Sequence, residues 1–224
     1  AVLAIDPSSE RTKGSILGDK TRMEQLANDP NAFIRPSPSA GSLGGVARKT
    51  KEIIILCEAA GFDVIIIETV GVGQSEISVR SMVDFFLLVM ISGTGDELQG
   101  IKKGIIEIAD ALVFNKADGN NKQKAELARA EFANALHYLQ PYTKGWHPKV
   151  LTASALEGKG IDKIWQLIVD FVEYTNKEKL FIEQRNKQSL NWMHSLIQES
   201  LISKFYADPL LRKELAKIEN ELLS

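Results

Sequence analysis

Residues 111–118 read Ala-Leu-Val-Phe-Asn-Lys-Ala-Asp, and this stretch shows how the chain folds. Its first half is apolar without polar alternation, which is typical of a strand that is buried on both faces of a sheet. Polar side chains follow at the point where that strand ends. The same strand character recurs in four other runs, which are Ala1–Ile5, Asp63–Glu68, Phe85–Ile91 and Lys149–Thr152.

Stretches with helical periodicity separate these runs, at Leu43–Ala60, Gln74–Met82, Leu98–Ala109 and Lys122–Leu139. Strands that alternate with helices form a parallel sheet that is wrapped by helices. We therefore predict a doubly wound α/β domain over residues 1–175. In such a domain ligands bind at the carboxyl ends of the strands, so the residues that follow each run are the candidate site.

The pattern changes to helix throughout after Gly160, and no further strand is predicted. Apolar residues then recur in steps of three and four, ending with the stripe Leu211, Leu215, Ile218 and Leu222. Residues 176–224 are accordingly expected to form a helical arm. The proline-rich segment Arg35–Ser39 is interpreted as a rigid surface loop.

Composition and charge exclude several classes of protein. The 224 residues are 44% hydrophobic and 25% charged, which is enough for a globular core, and the net charge of −2 indicates neither a nucleic-acid nor a membrane-surface partner. The longest apolar runs, such as Val64–Ile67, are too short to cross a bilayer as helices. A single cysteine, Cys57, forms no internal disulfide, so we expect a reducing compartment.

The residues Asn115, Lys116 and Asp118 form an N-K-x-D pattern directly after a predicted strand. A fixed carboxylate at Asp118 can accept two hydrogen bonds from guanine, one from N1–H and one from the 2-amino group, whereas adenine presents a lone pair there. Asn115 would brace the loop and reach the other edge of the purine, and the Lys116 stem would lie along the ring. The alternative is a capped turn, since Asn and Asp favour turns in any protein.

The short run Ser154-Ala155-Leu156 follows the next predicted strand. Backbone N–H groups of such a loop can reach the guanine O6 atom. In G proteins a loop of this kind likewise follows the N-K-x-D pattern along the chain. The two loops together favour guanine-nucleotide binding over a simple turn.

Acidic and glycine residues follow the other predicted strands. Glu68 stands where G proteins place an acid that holds Mg²⁺ through water, and Gly71 where a backbone N–H meets the γ-phosphate. The alternative for Glu68 is a buried salt bridge. Gln74 either positions water or caps a helix, and Asp6 and Asp19 either contact Mg²⁺ or belong to a turn and a solvated loop.

No G-x-x-x-x-G-K-[ST] phosphate loop occurs anywhere in the 224 residues. The segment Gly14–Thr21 is similar to it but places Asp19 where the second glycine should stand, and a carboxylate there would repel phosphate. We therefore expect the strand and loop that bind phosphate to precede Ala1. As written, the chain is expected to lack much of the triphosphate site.

Four longer segments make the chain similar to one known family, namely Asp6–Ser9, Gly14–Met23, Glu68–Glu76 and Gly95–Lys102. Together they resemble the MeaB/ArgK family of G proteins, which act as chaperones for adenosylcobalamin-dependent methylmalonyl-CoA mutase. The resemblance covers about residues 1–171 motif by motif and the helical arm more loosely. It implies the fold of a P-loop G domain of the signal-recognition/MinD-like class, GTP or GDP and Mg²⁺ as cofactors, and a bacterial cytoplasmic or mitochondrial matrix location.

The resemblance also implies roles for single residues. Glu68, Gly71 and Gln74 would belong to the catalytic switch, and Asp6, Asp19 and Glu68 to the acids around Mg²⁺. Gln99 and Lys102 would lie in an additional switch that senses the mutase, and the arm would form a homodimer. Two other readings remain: a metal-insertion GTPase of the same superfamily, disfavoured because no His/Cys cluster is present to carry metal, or a fragment that only dimerises or docks.

Overall fold

The computed structural model describes residues 1–6, 23–38, 43–69, 75–93 and 103–223. The strands within these ranges are β1 (Val2–Asp6), β2 (Ile34–Pro38), β3 (Ile66–Thr69), β4 (Leu87–Ile91), β5 (Ala111–Asn115) and β6 (Lys149–Thr152). The helices are α1 (Glu24–Ala27), α2 (Leu43–Ala59), α3 (Ser75–Arg80), α4 (Lys103–Glu107), α5 (Lys122–Leu136), α6 (Ile161–Lys177), α7 (Leu180–Ala207) and α8 (Pro209–Leu223), with a 3₁₀ turn at Gly119–Asn121.

All strand pairs in the described residues are parallel. They form one sheet in the order β2-β1-β3 and another in the order β4-β5-β6. Leu3 lies opposite Ile67 in the first sheet, and Leu112 lies opposite Val150 in the second. Helices separate the strands along the chain, so the predicted α/β architecture is confirmed, as are the helices after Gly160.

The strands differ in burial according to their place in a sheet. The middle strands β1 and β5 are buried, with Leu3 and Leu112 at 0% exposure. In β3 and β4, however, Ile66 and Val89 are each 55% exposed. The expectation that every apolar run is covered on both faces is therefore wrong for β3 and β4, each of which has an apolar side chain that is more than half exposed.

The loop expected at Arg35–Ser39 is a second correction, because Ile34–Pro38 forms a strand that pairs with β1. The Val2 N–H donates to the Phe33 carbonyl at 2.7 Å. Because every second residue of a strand bonds to the same neighbour, this bond determines which residues of β2 face β1. Pro36 and Pro38 then turn their nitrogens away from β1. A proline can occupy a sheet edge in that way without losing a ladder bond.

A shared apolar core joins the two sheets. Ile5 of β1 belongs to the same buried cluster as Leu112 and Phe114 of β5. The Phe114 ring packs edge-on against Phe132 of α5, with the ring centroids 5.2 Å apart. This contact fixes α5 beneath β5 and thereby positions the loop that connects them.

A buried ion pair lies where β5 begins. Arg80 Nη2 is 3.1 Å from Asp110 Oδ2, and the two side chains are 2% and 1% exposed. Asp110 also accepts hydrogen bonds from the Phe86 N–H at 2.9 Å and the Thr143 hydroxyl at 2.8 Å. Burial raises the pKa of Asp110 and lowers that of Arg80, while the attraction between them opposes both shifts.

The chain divides into two compact units, Ala1–Phe181 and Ile182–Ser224. The boundary predicted between residues 175 and 176 falls near the end of α6 and stays a prediction. The second unit consists of most of α7 and of α8, with exposed apolar side chains along both helices. No helix within the described ranges is long and apolar enough to cross a membrane.

Candidate functional site

The carboxyl ends of β5 and β6 bring the two predicted guanine loops together. The strands run side by side up to the pair Phe114 and Thr152. Beyond it, the Ala153 N–H donates to the Phe114 carbonyl and the Ala117 N–H donates to the Ala153 carbonyl, each at 2.9 Å. Main-chain bonds therefore hold the N-K-x-D loop against the loop that contains Ser154.

The Asp118 carboxylate is held by one side chain of the neighbouring loop. Ser154, which is 1% exposed, donates its hydroxyl to Asp118 Oδ2 at 2.5 Å and accepts the Glu157 N–H at 3.1 Å. Asp118 Oδ1 accepts no hydrogen bond from a described residue and is available to a ligand. From the sequence only a backbone role is predicted for Ser154, and the bond of its hydroxyl to Asp118 is missed, although a serine directly after a strand is a signal for such a contact.

Asn115 reaches across to the same loop. Its Oδ1 accepts the Ala155 N–H at 3.1 Å, so that N–H is already engaged when no ligand is present. Leu156, the next residue, is 88% exposed. A carbonyl oxygen of a bound base would therefore either replace Asn115 Oδ1 as the acceptor of the Ala155 N–H or accept a hydrogen bond from a neighbouring backbone N–H.

Lys116 has a left-handed backbone conformation, with a φ of 57°. Its carbonyl accepts a hydrogen bond from Asn121 Nδ2 at 2.9 Å. Asn121 was not singled out from the sequence, because only the folded turn brings it back to Lys116. The Lys116 side chain is exposed.

A third contact ties α5 to the end of β6. The Thr152 hydroxyl donates to Glu126 Oε1 at 2.6 Å, and the Arg129 Nε donates to Glu126 Oε2 at 2.8 Å. These two bonds lower the pKa of Glu126, with the bond from Thr152 the larger cause. Glu126 thereby supports the strand end from which the Ser154 loop departs.

The predicted metal and phosphate residues are described only in part. Glu68 lies on β3 opposite Ala4, with an exposed side chain, and Asp6 ends the neighbouring strand β1. Aspartate and glutamate are residue types that can supply oxygen ligands to Mg²⁺. The other residues predicted for this region and for the partner lie outside the described residues, namely Asp19, Gly71, Gln74, Gln99 and Lys102. Within the described ranges, no group of three or more His, Cys, Asp or Glu side chains is arranged to hold a metal ion.

The chain is similar to a known protein family and to proteins of several organisms. A family model described as methylmalonyl Co-A mutase-associated GTPase MeaB matches residues 1–210. A probable GTPase of Mycobacterium tuberculosis is 49% identical over 99% of this chain. The mitochondrial methylmalonic aciduria type A homolog of Mus musculus is 47% identical over the whole chain.

A solved structure agrees with the fold. The crystal structure of a LAO/AO transport system kinase superposes with a TM-score of 0.73 at 38% sequence identity, covering 100% of this chain and 67% of that one. The chain spans 66% of the mycobacterial relative and 54% of the mouse relative. The resemblance stated from the four sequence segments is confirmed, and the chain belongs to the MeaB family of methylmalonyl Co-A mutase-associated GTPases.

Proposed function

We propose that this chain carries the guanine-recognition site of a GTP-binding and GTP-hydrolysing protein. The observation that supports it most is the Asp118 carboxylate, which Ser154 holds by Oδ2 while Oδ1 stays open at the carboxyl edge of β5. A carboxylate that is already fixed loses little freedom when a ligand binds. It is therefore a preorganised acceptor for the paired donors of a guanine base.

The same arrangement accounts for base choice. Guanine offers N1–H and a 2-amino group to Asp118, while adenine offers a lone pair and would leave the carboxylate unpaired. The exposed Lys116 stem can cover one face of the ring, and Asn115 can turn toward the other purine edge. Selectivity for guanine then arises from three residues on one loop.

The phosphates would be held outside the described residues. The 224 residues contain no G-x-x-x-x-G-K-[ST] loop, and β3 and β4 each pair with one strand only among the described residues. We propose that one strand and its phosphate loop complete the site beside these edges. The experiments below that require nucleotide use the extended protein, meaning the 224 residues preceded by such a segment.

Hydrolysis would use residues in the last part of β1 and β3 and in the segments that follow these strands. Glu68 and Asp6 are carboxylates at adjacent strand ends, and with Asp19 they would hold Mg²⁺, which neutralises charge on the transferred phosphoryl group. The Gly71 N–H would bind the γ-phosphate, and Gln74 would orient the attacking water. These roles rest on sequence position and on the backbone placement of Asp6 and Glu68.

The partner of the proposed GTPase is methylmalonyl-CoA mutase, which this protein would assist in loading and protecting its adenosylcobalamin. The family description and the mouse relative's name support this partner. We expect the protein in the bacterial cytoplasm or the mitochondrial matrix, since the mouse relative is mitochondrial. Gln99 and Lys102 are the residues proposed to sense the mutase.

A mutase-stimulation assay tests this partner. In the extended protein, Gln99→Ala and Lys102→Ala are expected to leave intrinsic GTP turnover and GDP affinity near those of the parent, because neither residue belongs to the base loop. The acceleration of turnover by mutase should fall several-fold. If the mutase accelerates neither the parent nor the variants, this partner is wrong; if it accelerates all three equally, only the residues are wrong.

The helical arm is proposed to hold two copies together. Along α8, Leu211, Ile218 and Leu222 are 37%, 50% and 81% exposed. The apolar stripe of this helix is therefore not fully buried by other described residues. A helix this short is not stable alone in water and needs a packing partner.

Truncation after Tyr206 is therefore expected to convert a dimer to a monomer, as measured by light scattering with mass determination. Replacing the exposed polar residues Lys213 and Glu221 by Ala is the control, because it keeps α8 and its apolar stripe intact. A truncated chain with an unchanged dimeric mass would contradict the proposal.

A further inference from the structure

Asn121 joins two segments that meet at the carboxyl ends of the strands. Its Nδ2 donates to the Lys116 carbonyl at 2.9 Å, and its Oδ1 accepts the Ser92 hydroxyl at 3.2 Å. A carbonyl can only accept, so the amide group must face Lys116 with its nitrogen. The amide orientation is thereby fixed, and Ser92 must be the donor in the second bond.

The bond to Lys116 compensates an unfavourable backbone conformation. Left-handed φ values such as the 57° of Lys116 are uncommon for residues with a long side chain. By holding the Lys116 carbonyl, Asn121 fixes the peptide plane that follows it. The direction of the next two residues, and so the position of Asp118, depends on that plane.

The bond to Ser92 anchors Asn121 to a different strand. Ser92 is 5% exposed and directly follows β4, where the backbone continues into Gly93 with a φ of 89°. A Cβ added at Gly93 would lie 3.7 Å from Asn121 Oδ1 and 3.5 Å from Lys124 Cδ. The end of β4 is thus packed directly against the turn that precedes α5.

From this geometry we infer that Asn121 is a positioning residue for guanine recognition. It holds the N-K-x-D loop in its binding conformation and links that loop to the end of β4, so the strand end and the base site move together. The inference rests on the proposed function, because it assigns Asn121 a part in the same site. Asn121 touches no base itself and acts through Lys116 and Asp118.

The experiment compares four variants of the extended protein, which are Asn121→Ala, Asn121→Asp, Ser92→Ala and the control Asn120→Ala. Asn120 is in the same 3₁₀ turn and exposed, and its side chain makes no hydrogen bond in the described structure. GDP dissociation is followed by displacement of a fluorescent GDP, affinities for GDP and IDP by calorimetry, and folding by thermal denaturation. IDP lacks the 2-amino group, so the ratio of the two affinities reports how well Asp118 is aligned.

Asn121→Ala is expected to speed GDP dissociation about tenfold, since two hydrogen bonds are lost, and to lower the GDP-to-IDP affinity ratio several-fold. Asn121→Asp keeps an acceptor for Ser92 but places a carboxylate oxygen against the Lys116 carbonyl oxygen. Because two acceptors repel each other, its effect should be at least as large. Ser92→Ala should fall between Asn121→Ala and the parent, and Asn120→Ala should match the parent.

Two results would overturn the positioning role. One is an Asn121→Ala variant whose GDP dissociation matches that of Asn120→Ala. The other is a loss of GDP and IDP affinity by the same factor together with a lower melting temperature, which is the behaviour of a purely structural residue. A parent that binds no GDP would instead overturn the proposed function, and the role of Asn121 with it.

Discussion

Asp118→Asn is expected to weaken GDP binding by the extended protein at least about 100-fold, since a site built to bond a donor loses heavily when the pairing fails. A carboxylate has two acceptor oxygens for the two guanine donors, whereas an asparagine has only one oxygen acceptor, and its amide nitrogen is itself a donor. Xanthosine diphosphate should gain affinity in the same variant, because its 2-oxo group accepts where guanine donates. Competition against fluorescent GDP measures both changes.

The matched control for this variant is Asp162→Asn. Asp162 is an exposed carboxylate in the first turn of α6 and has no hydrogen-bond partner in the described structure. It should bind GDP like the parent. An Asp118→Asn variant that keeps the parent's affinity for GDP and still rejects xanthosine diphosphate would contradict the assignment of Asp118 to the base.

Asp110→Ala is expected to lower the free energy of unfolding by about 3–5 kcal/mol, because it leaves a buried guanidinium without its anion. Arg80 is 3% exposed, and its Nε and Nη1 already lack a hydrogen-bond partner among the described residues. The variant also removes the acceptor for the Phe86 N–H and the Thr143 hydroxyl. Urea unfolding of the 224-residue chain measures the loss.

The control for this prediction is Glu52→Ala, which breaks the exposed pair with Arg48 at 2.9 Å. An exposed pair contributes about 0–1 kcal/mol, so this variant should unfold close to the parent. If Asp110→Ala costs no more than Glu52→Ala, the buried pair does not contribute to stability as described.

Much of the fold could be predicted because its strands are local apolar runs. The runs that include Leu3 and Leu112 correspond to β1 and β5, and the polar residues after β5 identified the candidate site. The strand Ile34–Pro38 was missed because its prolines are typical of loops, and only the pairing with β1 shows that their nitrogens face away from the ladder. The exposure of β3 and β4 could not be predicted from composition, since it depends on which parts of the folded chain cover each face of a strand.

The residues of the candidate site could be predicted from the sequence, but the hydrogen bonds and the ion pair that support them could not. The patterns at Asn115–Asp118 and Ser154–Leu156 are short and local. The bonds of Asn121 to Ser92 and of Arg80 to Asp110, in contrast, join residues 29 and 30 positions apart. Nothing in either local sequence marks the partner, because the pairing exists only once the strands lie side by side.

Guanine selectivity is measured by calorimetric titration of the extended protein with GDP, repeated in the presence of an equal concentration of ATP. We expect that GDP binds and that ATP neither binds alone nor reduces the heat of GDP binding, since only guanine satisfies both acceptor positions of Asp118. ATP binding with an affinity similar to that of GDP would contradict guanine recognition at the edge of β5 and β6.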